Sequence, residues 1–272
     1  MLTLFSIVLS TPKIFASDYG FTIYNIKHLS GGRGRGRLKE LDSMLSSNHI
    51  YRNNDVRTWA HETTHGINAR GRRLLQSKYS YAINTIYILD GRLAVLREPP
   101  LTLSQIAQKI PSDLRGQHTY SLYLINQQKY WNKQPLYIFD ELSAYTHGSI
   151  VGIEYGVDSY SDEWFALDFL GYAIALCELA DQTDYDCKEL FAITRYYCVW
   201  HSSNLRQIFI QRKQYYNKYA QQYQKINKHY GKFINKKLGP NIYARMFNDT
   251  QHSQQTKTLT ILPEKTFWKE VQ

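Results

Sequence analysis

The chain has 272 residues, 43% of them hydrophobic, enough to fill a real core in one large domain or two small ones. Its formal net charge of +10 would steer it toward anionic surfaces such as nucleic acid, lipid headgroups or acidic polymers, without defining a function. After the first residues no run approaches the ~20 apolar residues of a membrane span, and Cys177, Cys187 and Cys198 match no CxxC zinc spacing, so a transmembrane segment and a cysteine-held metal are not expected.

The opening MLTLFSIVLS is apolar and is followed by small residues at Ala16 and Ser17, which reads as a signal peptide over 1–17 and a secreted or periplasmic mature protein; the competing reading is a buried N-terminal strand. FTIYNIKHL alternates as a strand does, and GGRGRGR after it reads as a mobile basic loop. Gly32, Gly34 and Gly36 lack the GxGxxG spacing and no GK[ST] follows, so no nucleotide cofactor is expected. LKELDSMLSS predicts a short helix, and a longer one should run from about Asp55 to Gln76 with Asn53 or Asn54 as its N-cap.

NTIYILDGRLAVLREPP reads as a β-hairpin turning at Asp90-Gly91. Thr102 or Ser104 can start a short helix reaching Ile110, before Pro111. From Tyr120 the pattern is mostly helical to about Ile234, with breaks near Pro135, Gly156 to Ser161 and Asp181 to Asp186. With no internal repeat and no long linker, the expected fold is mainly α with a small β element, an α+β protein. In an oxidising compartment one pair of the three cysteines could form a disulfide; otherwise all three are small core residues.

TWAHETTHGI carries two histidines four residues apart. On a helix, positions i and i+4 share a face, so His61 and His65 can address one ion, while Glu62, about 100° round the helix, can reach a water on that ion and serve as general base. Zinc lowers the pKa of bound water toward ~7 and polarises a carbonyl, which predicts peptide or amide hydrolysis. The flanking residues carry no charge and no proline, as a largely buried helix requires. An ordinary helix with two histidines remains the plain alternative.

A catalytic zinc usually has three protein ligands. The HExxHxxGxxH form is excluded, because Asn68 and Gly71 stand where its glycine and third histidine belong. Downstream, Glu141, Tyr145, Gly148 and Gly152 share one helical face, and Gly148, Gly152 and Gly156 repeat every four residues, so this helix can approach another closely. If its partner is the HETTH helix, Glu141 completes a His/His/Glu site and Tyr145 leans over the same cleft, where it could donate to an oxyanion. His147, Glu154, Glu163 and Asp168 are rival ligands, His118 a weaker oxyanion donor; Glu141 could instead simply complement the helix dipole, and Tyr145 simply pack.

HETTH together with the ELSAY helix, roughly residues 55 to 156, resembles the gluzincin group of zinc metallopeptidases. That resemblance implies a zincin-like catalytic domain, placed here at 18–200, with zinc on His61, His65 and Glu141, Glu62 as the catalytic base, and a protein or peptide substrate. The chain lacks the NExxSD motif of the thermolysin kind, and 76 positions separate His65 from Glu141.

Residues 201–272 form the expected basic helical C-terminal extension. From Leu205 to Asn248 there are ten lysines and arginines and no acidic residue. Tyr216, Tyr219, Tyr223, Ile226, Tyr230 and Phe233 recur with 3,4 spacing, so an aromatic stripe should pack inward and the lysines face solvent or an anionic surface. The competing function is therefore a secreted basic binding protein whose HExxH is not catalytic.

Overall fold

A computed structural model describes residues 20–49, 51–116, 118–157, 161–205 and 213–247. The expected signal peptide lies outside the described residues. The chain is mainly helical with one three-stranded sheet, as its periodicities predict. It divides into two compact units: the first holds Ile23–Arg97 and Phe139–Ala166, the second Glu98–Ile138 with the described residues of Ile14–Thr22 and Leu167–Gln272.

Strand β1 (Thr22–Asn25) lies at one edge of the sheet, β3 (Arg92–Arg97) in the middle and β2 (Ile83–Tyr87) at the other edge. β2 and β3 are antiparallel with Thr85 opposite Val95. The chain turns at Asp90-Gly91 as expected, but the loop is one residue longer than a two-residue hairpin: Tyr87 pairs with Leu93 and Ile88 N donates to Arg92 O at 3.0 Å, which leaves Leu89, Asp90 and Gly91, all at positive φ, to make the turn. Helix α1 (Gly36–Ser43) and the long α2 (Val56–Leu75) complete the first part of this unit. Gly71 sets α2 on the sheet, since a Cβ there would meet Thr85 Oγ1 at 2.5 Å and Leu93 Cδ1 at 2.6 Å. Leu75, Ile83 and Val95 pack together beneath it.

Two local expectations do not hold in the fold. The N-cap of α2 is Asp55, whose carboxylate accepts from Arg57 N and Thr58 N; Asn53 instead accepts from Asp55 N at 3.0 Å. The glycine-arginine run is tied down rather than mobile. Arg33 grips Asp42 through Nε at 2.8 Å and Nη2 at 3.0 Å, Arg35 N donates to the Tyr155 hydroxyl at 2.8 Å, and Arg37 N donates to Glu154 at 2.8 Å. Gly34 and Gly36, both at positive φ, let the backbone pass against Tyr155 and Glu154, where a side chain would collide.

Helix α5 (Tyr137–Glu154) follows α3 (Leu103–Lys109) and α4 (Gln128–Trp131) in the chain, and α6 (Ser161–Ala180), α7 (Lys188–Trp200), α8 (Lys213–Phe233) and α9 (Pro240–Phe247) succeed it. Thr102 caps α3 in a reciprocal capping box with Gln105. In the second unit the stripe on α8 is buried at Tyr219, Tyr223, Ile226, Tyr230 and Phe233, while Lys218, Lys228 and Lys232 are exposed. Tyr216 lies outside the residues whose side chains are described. The three cysteines are unpaired and buried, and burial pushes the Cys198 thiol up to about 12, so they are core residues and not a disulfide. Among the described residues no helix is long and apolar enough to cross a membrane.

Candidate metal centre

The small residues on α5 bring it against α2. At Gly148 an added Cβ would meet the Arg57 carbonyl oxygen at 3.3 Å, and at Gly152 it would run into the Arg57 guanidinium. Arg57 begins the inward face of α2, and its guanidinium takes Glu163 in a two-pronged pair, Nη1–Oε2 at 2.8 Å and Nη2–Oε1 at 3.1 Å, both side chains buried. Bidentate geometry fixes the helix start in rotation as well as position. One and two turns further along the same face come His61 and His65.

Across from them α5 presents Glu141, one turn after the helix begins. His61 Nε2 and His65 Nε2 are 3.0 Å apart, and Glu141 Oε2 lies 3.6 Å from each. Corners of a triangle with these sides stand about 2.0 Å from a common centre, the length of a Zn–N or Zn–O bond. The donor set suits a divalent cation in a second respect. Glu141 is 2% exposed, yet its Oε2 has no hydrogen-bond partner among the described residues, an expensive state for a carboxylate oxygen unless something positive occupies the gap. Among the described residues this is the one group of three or more His, Cys, Asp or Glu side chains with converging ligand atoms.

Electrostatics within the pair are asymmetric. Burial works against a charged His65, but Glu141 and Asp140 outweigh it and hold its pKa well above the usual imidazole range. Burial, followed by the charge on His65, pushes His61 well below that range. His65 thus takes the proton and His61 stays neutral. A cation in place of that proton would keep the positive charge that Glu141 faces.

Tyr145 lies one turn beyond Glu141 and sets its ring edge-on to His61, with centroids 4.3 Å apart. Glu62 is partly buried and receives a hydrogen bond from the Tyr51 hydroxyl, whose pKa is raised by burial and by that carboxylate. Gly66 gives room for the same segment, for a Cβ there would stand 3.0 Å from Leu45 Cδ1 and 3.3 Å from His49 Cε1.

The rival ligands are engaged elsewhere. His147 Nδ1 meets Thr64 Oγ1 at 3.0 Å; since that hydroxyl donates to Ala60 O at 2.9 Å, the ring nitrogen carries the proton. Burial pushes the His147 pKa down to about 3, so the ring is neutral. Glu154 accepts from Arg37 N, Glu163 pairs with Arg57, and Asp168 bonds Thr119 in the second unit, where His118 is exposed.

Three residues around the centre, Tyr51, Asp140 and Asn68, escape reading from the sequence. Asp140 Oδ1 accepts from His65 Nδ1 at 2.9 Å, and Asn68 Nδ2 donates to the same oxygen at 2.5 Å. A carboxylate on the far nitrogen fixes the histidine tautomer so that Nε2 is the ligating atom. The available clues were an acid directly preceding Glu141 and an amide three residues past His65, on its own helical face. Compared with known families, curated proteins and solved structures, the chain gives no match. The functional reading rests on this geometry and chemistry.

Proposed function

We propose that the chain is a zinc-dependent metallopeptidase of gluzincin type, with His61, His65 and Glu141 holding the ion. The observation that carries the reading is the buried Glu141 oxygen, unpartnered among the described residues, facing both Nε2 atoms of an HExxH helix. Zinc held there would lower the pKa of water toward ~7 and polarise a substrate carbonyl.

The chain's own residues have defined tasks in this reading. Glu62 takes the proton of the attacking water on its carboxylate and returns it to the leaving amide nitrogen, a role worth about 10²- to 10⁴-fold in rate. Tyr51 steadies Glu62 through its hydroxyl. Asp140 orients His65, and Tyr145, packed on His61, donates from its hydroxyl to the developing oxyanion. The substrate class is protein or peptide, and export through the apolar N-terminus belongs to the same proposal.

Purified protein should contain about one zinc per chain and cleave members of a diverse peptide library. Glu62→Gln should keep the zinc and lose hydrolysis by roughly 10²-fold or more. Zinc-free protein, or full activity in Glu62→Gln, would instead favour a basic binding protein that carries the motif without using it.

A further inference from the structure

The outer edge of β2 is closed by side chains. Ile88 N donates inward to Arg92 O at 3.0 Å, so with a strand period of two the N–H groups of Ile83, Thr85 and Tyr87 point away from β3. Gln76 Oε1 accepts from Ile83 at 3.2 Å, Asn84 Oδ1 from Thr85 at 2.9 Å, and Asn68 Oδ1 from Tyr87 at 2.7 Å. Three amides do the same local work. One of them does more.

Asn68 is fully buried, and its Nδ2 reaches both Asp140 Oδ1 at 2.5 Å and Ser143 Oγ at 3.1 Å. The Ser143 hydroxyl donates to Asp140 O at 2.8 Å and therefore accepts from Asn68. A backbone N–H can only donate and the Ser143 hydroxyl has already spent its proton, so the Asn68 amide satisfies both neighbours in one of its two flips and in no other. Tyr87 N–H, Asn68, Asp140 and His65 Nδ1 thus form a continuous chain of hydrogen bonds from the sheet to the imidazole.

We infer that Asn68 is a positioning residue of the metal centre: it anchors the Asp140 carboxylate to the backbone of β2 and so holds His65 in the tautomer and direction that offer Nε2 to a divalent cation. The inference rests on the metal reading above and adds to it a dependence on the sheet edge. Asp140 has an alternative cation in Arg72, but at 3.9 Å that guanidinium constrains it loosely. Without Asn68 the carboxylate is free to turn, and His65 turns with it.

The test compares two caps of the same strand edge, with zinc affinity measured by chelator competition and stability by denaturant titration of the full chain. Asn68→Ala should raise the zinc Kd by about 10- to 100-fold, the usual cost of losing a group that orients a ligating histidine. Gln76→Ala removes a strand cap without touching Asp140, and should lose stability while keeping the wild-type zinc Kd. Asn68→Ser, which can satisfy one neighbour but not span two, should fold even if the alanine variant fails to, and show a smaller shift in Kd. If the Asn68 variants and Gln76→Ala leave zinc Kd equally unchanged, Asn68 is only a strand cap and the inference falls alone. If wild-type protein binds no zinc, the metal reading falls and takes the inference with it.

Discussion

Each unit of the protein contains a polar cluster built around a helix-borne carboxylate, and the two clusters are finished differently. In the second unit Asp168 on α6 accepts from Thr119 Oγ1 at 2.9 Å and from Gln222 Nε2 at 3.2 Å. The Tyr172 hydroxyl bonds Thr119 at 3.0 Å and accepts from Gly116 N at 2.9 Å, so each of these oxygens has a protein partner. In the first unit Glu141 is nearly inaccessible, yet its Oε2 faces two imidazole nitrogens with no hydrogen-bond donor of its own among the described residues. A saturated cluster needs nothing further and specifies a fold. One left open at a single oxygen, with two imidazole nitrogens converging on it, is what a bound cation would complete.

That contrast breaks most decisively at the carboxylates themselves. Glu141→Ala should weaken zinc binding beyond about 100-fold, since even the groups that merely orient a ligand cost about 10- to 100-fold. Asp168→Ala should leave zinc affinity at its wild-type value and register only in stability. Chelator competition on the two variants reads both outcomes. Equal zinc binding by wild type and Glu141→Ala would remove Glu141 from the ligand set.

How far the centre could be read in advance follows the same division between local and distant causes. His61 and His65 announce themselves because helical spacing is a local rule. Glu141 could be chosen because the glycines at 148 and 152 mark a face made for close approach, and that face meets Arg57 of α2. Asp140 and Asn68 could not be assigned, because whether a buried polar group is partnered depends on what chain 72 positions away is brought opposite it. Asn53, Asn54 and Asp55 are all competent caps, and only the entry angle of the chain selects Asp55. GGRGRGR looked mobile because its partners, Glu154 and Tyr155, lie more than 100 positions away.

A smaller effect should sharpen the description of the saturated cluster. Thr119→Val removes the hydroxyl that donates to Asp168 and receives Tyr172, leaving two largely enclosed groups short of a partner. The expected loss is about 1–3 kcal/mol, seen as a lower denaturant midpoint at unchanged m-value. Zinc affinity should not move. A variant as stable as wild type would mean that water already serves Asp168, and that the cluster is less closed than its distances indicate.

The effect spread most thinly over conditions is a slope with pH. Burial pushes Asp168 up to about 6, against the Thr119 hydrogen bond and the charges of Lys218 and Lys225, which favour the ionised form. An unfolded aspartate titrates near its ordinary 3.8. Between those values the folded protein holds the proton more tightly, so this group's contribution is full below about 3.8 and is lost as pH rises through about 6. Asp168→Asn is neutral at every pH. It should sit at a constant offset from wild type below pH 4, set by the altered hydrogen bonds to Thr119 and Gln222, and then gain on wild type by about 1–3 kcal/mol by pH 7. Denaturant titrations of both proteins at pH 4, 5, 6 and 7 measure the difference, in which other groups with equal pKa values in the two proteins cancel. A difference that stays flat across that window would show that Asp168 ionises as readily in the fold as in water, and that its donors already compensate for its burial.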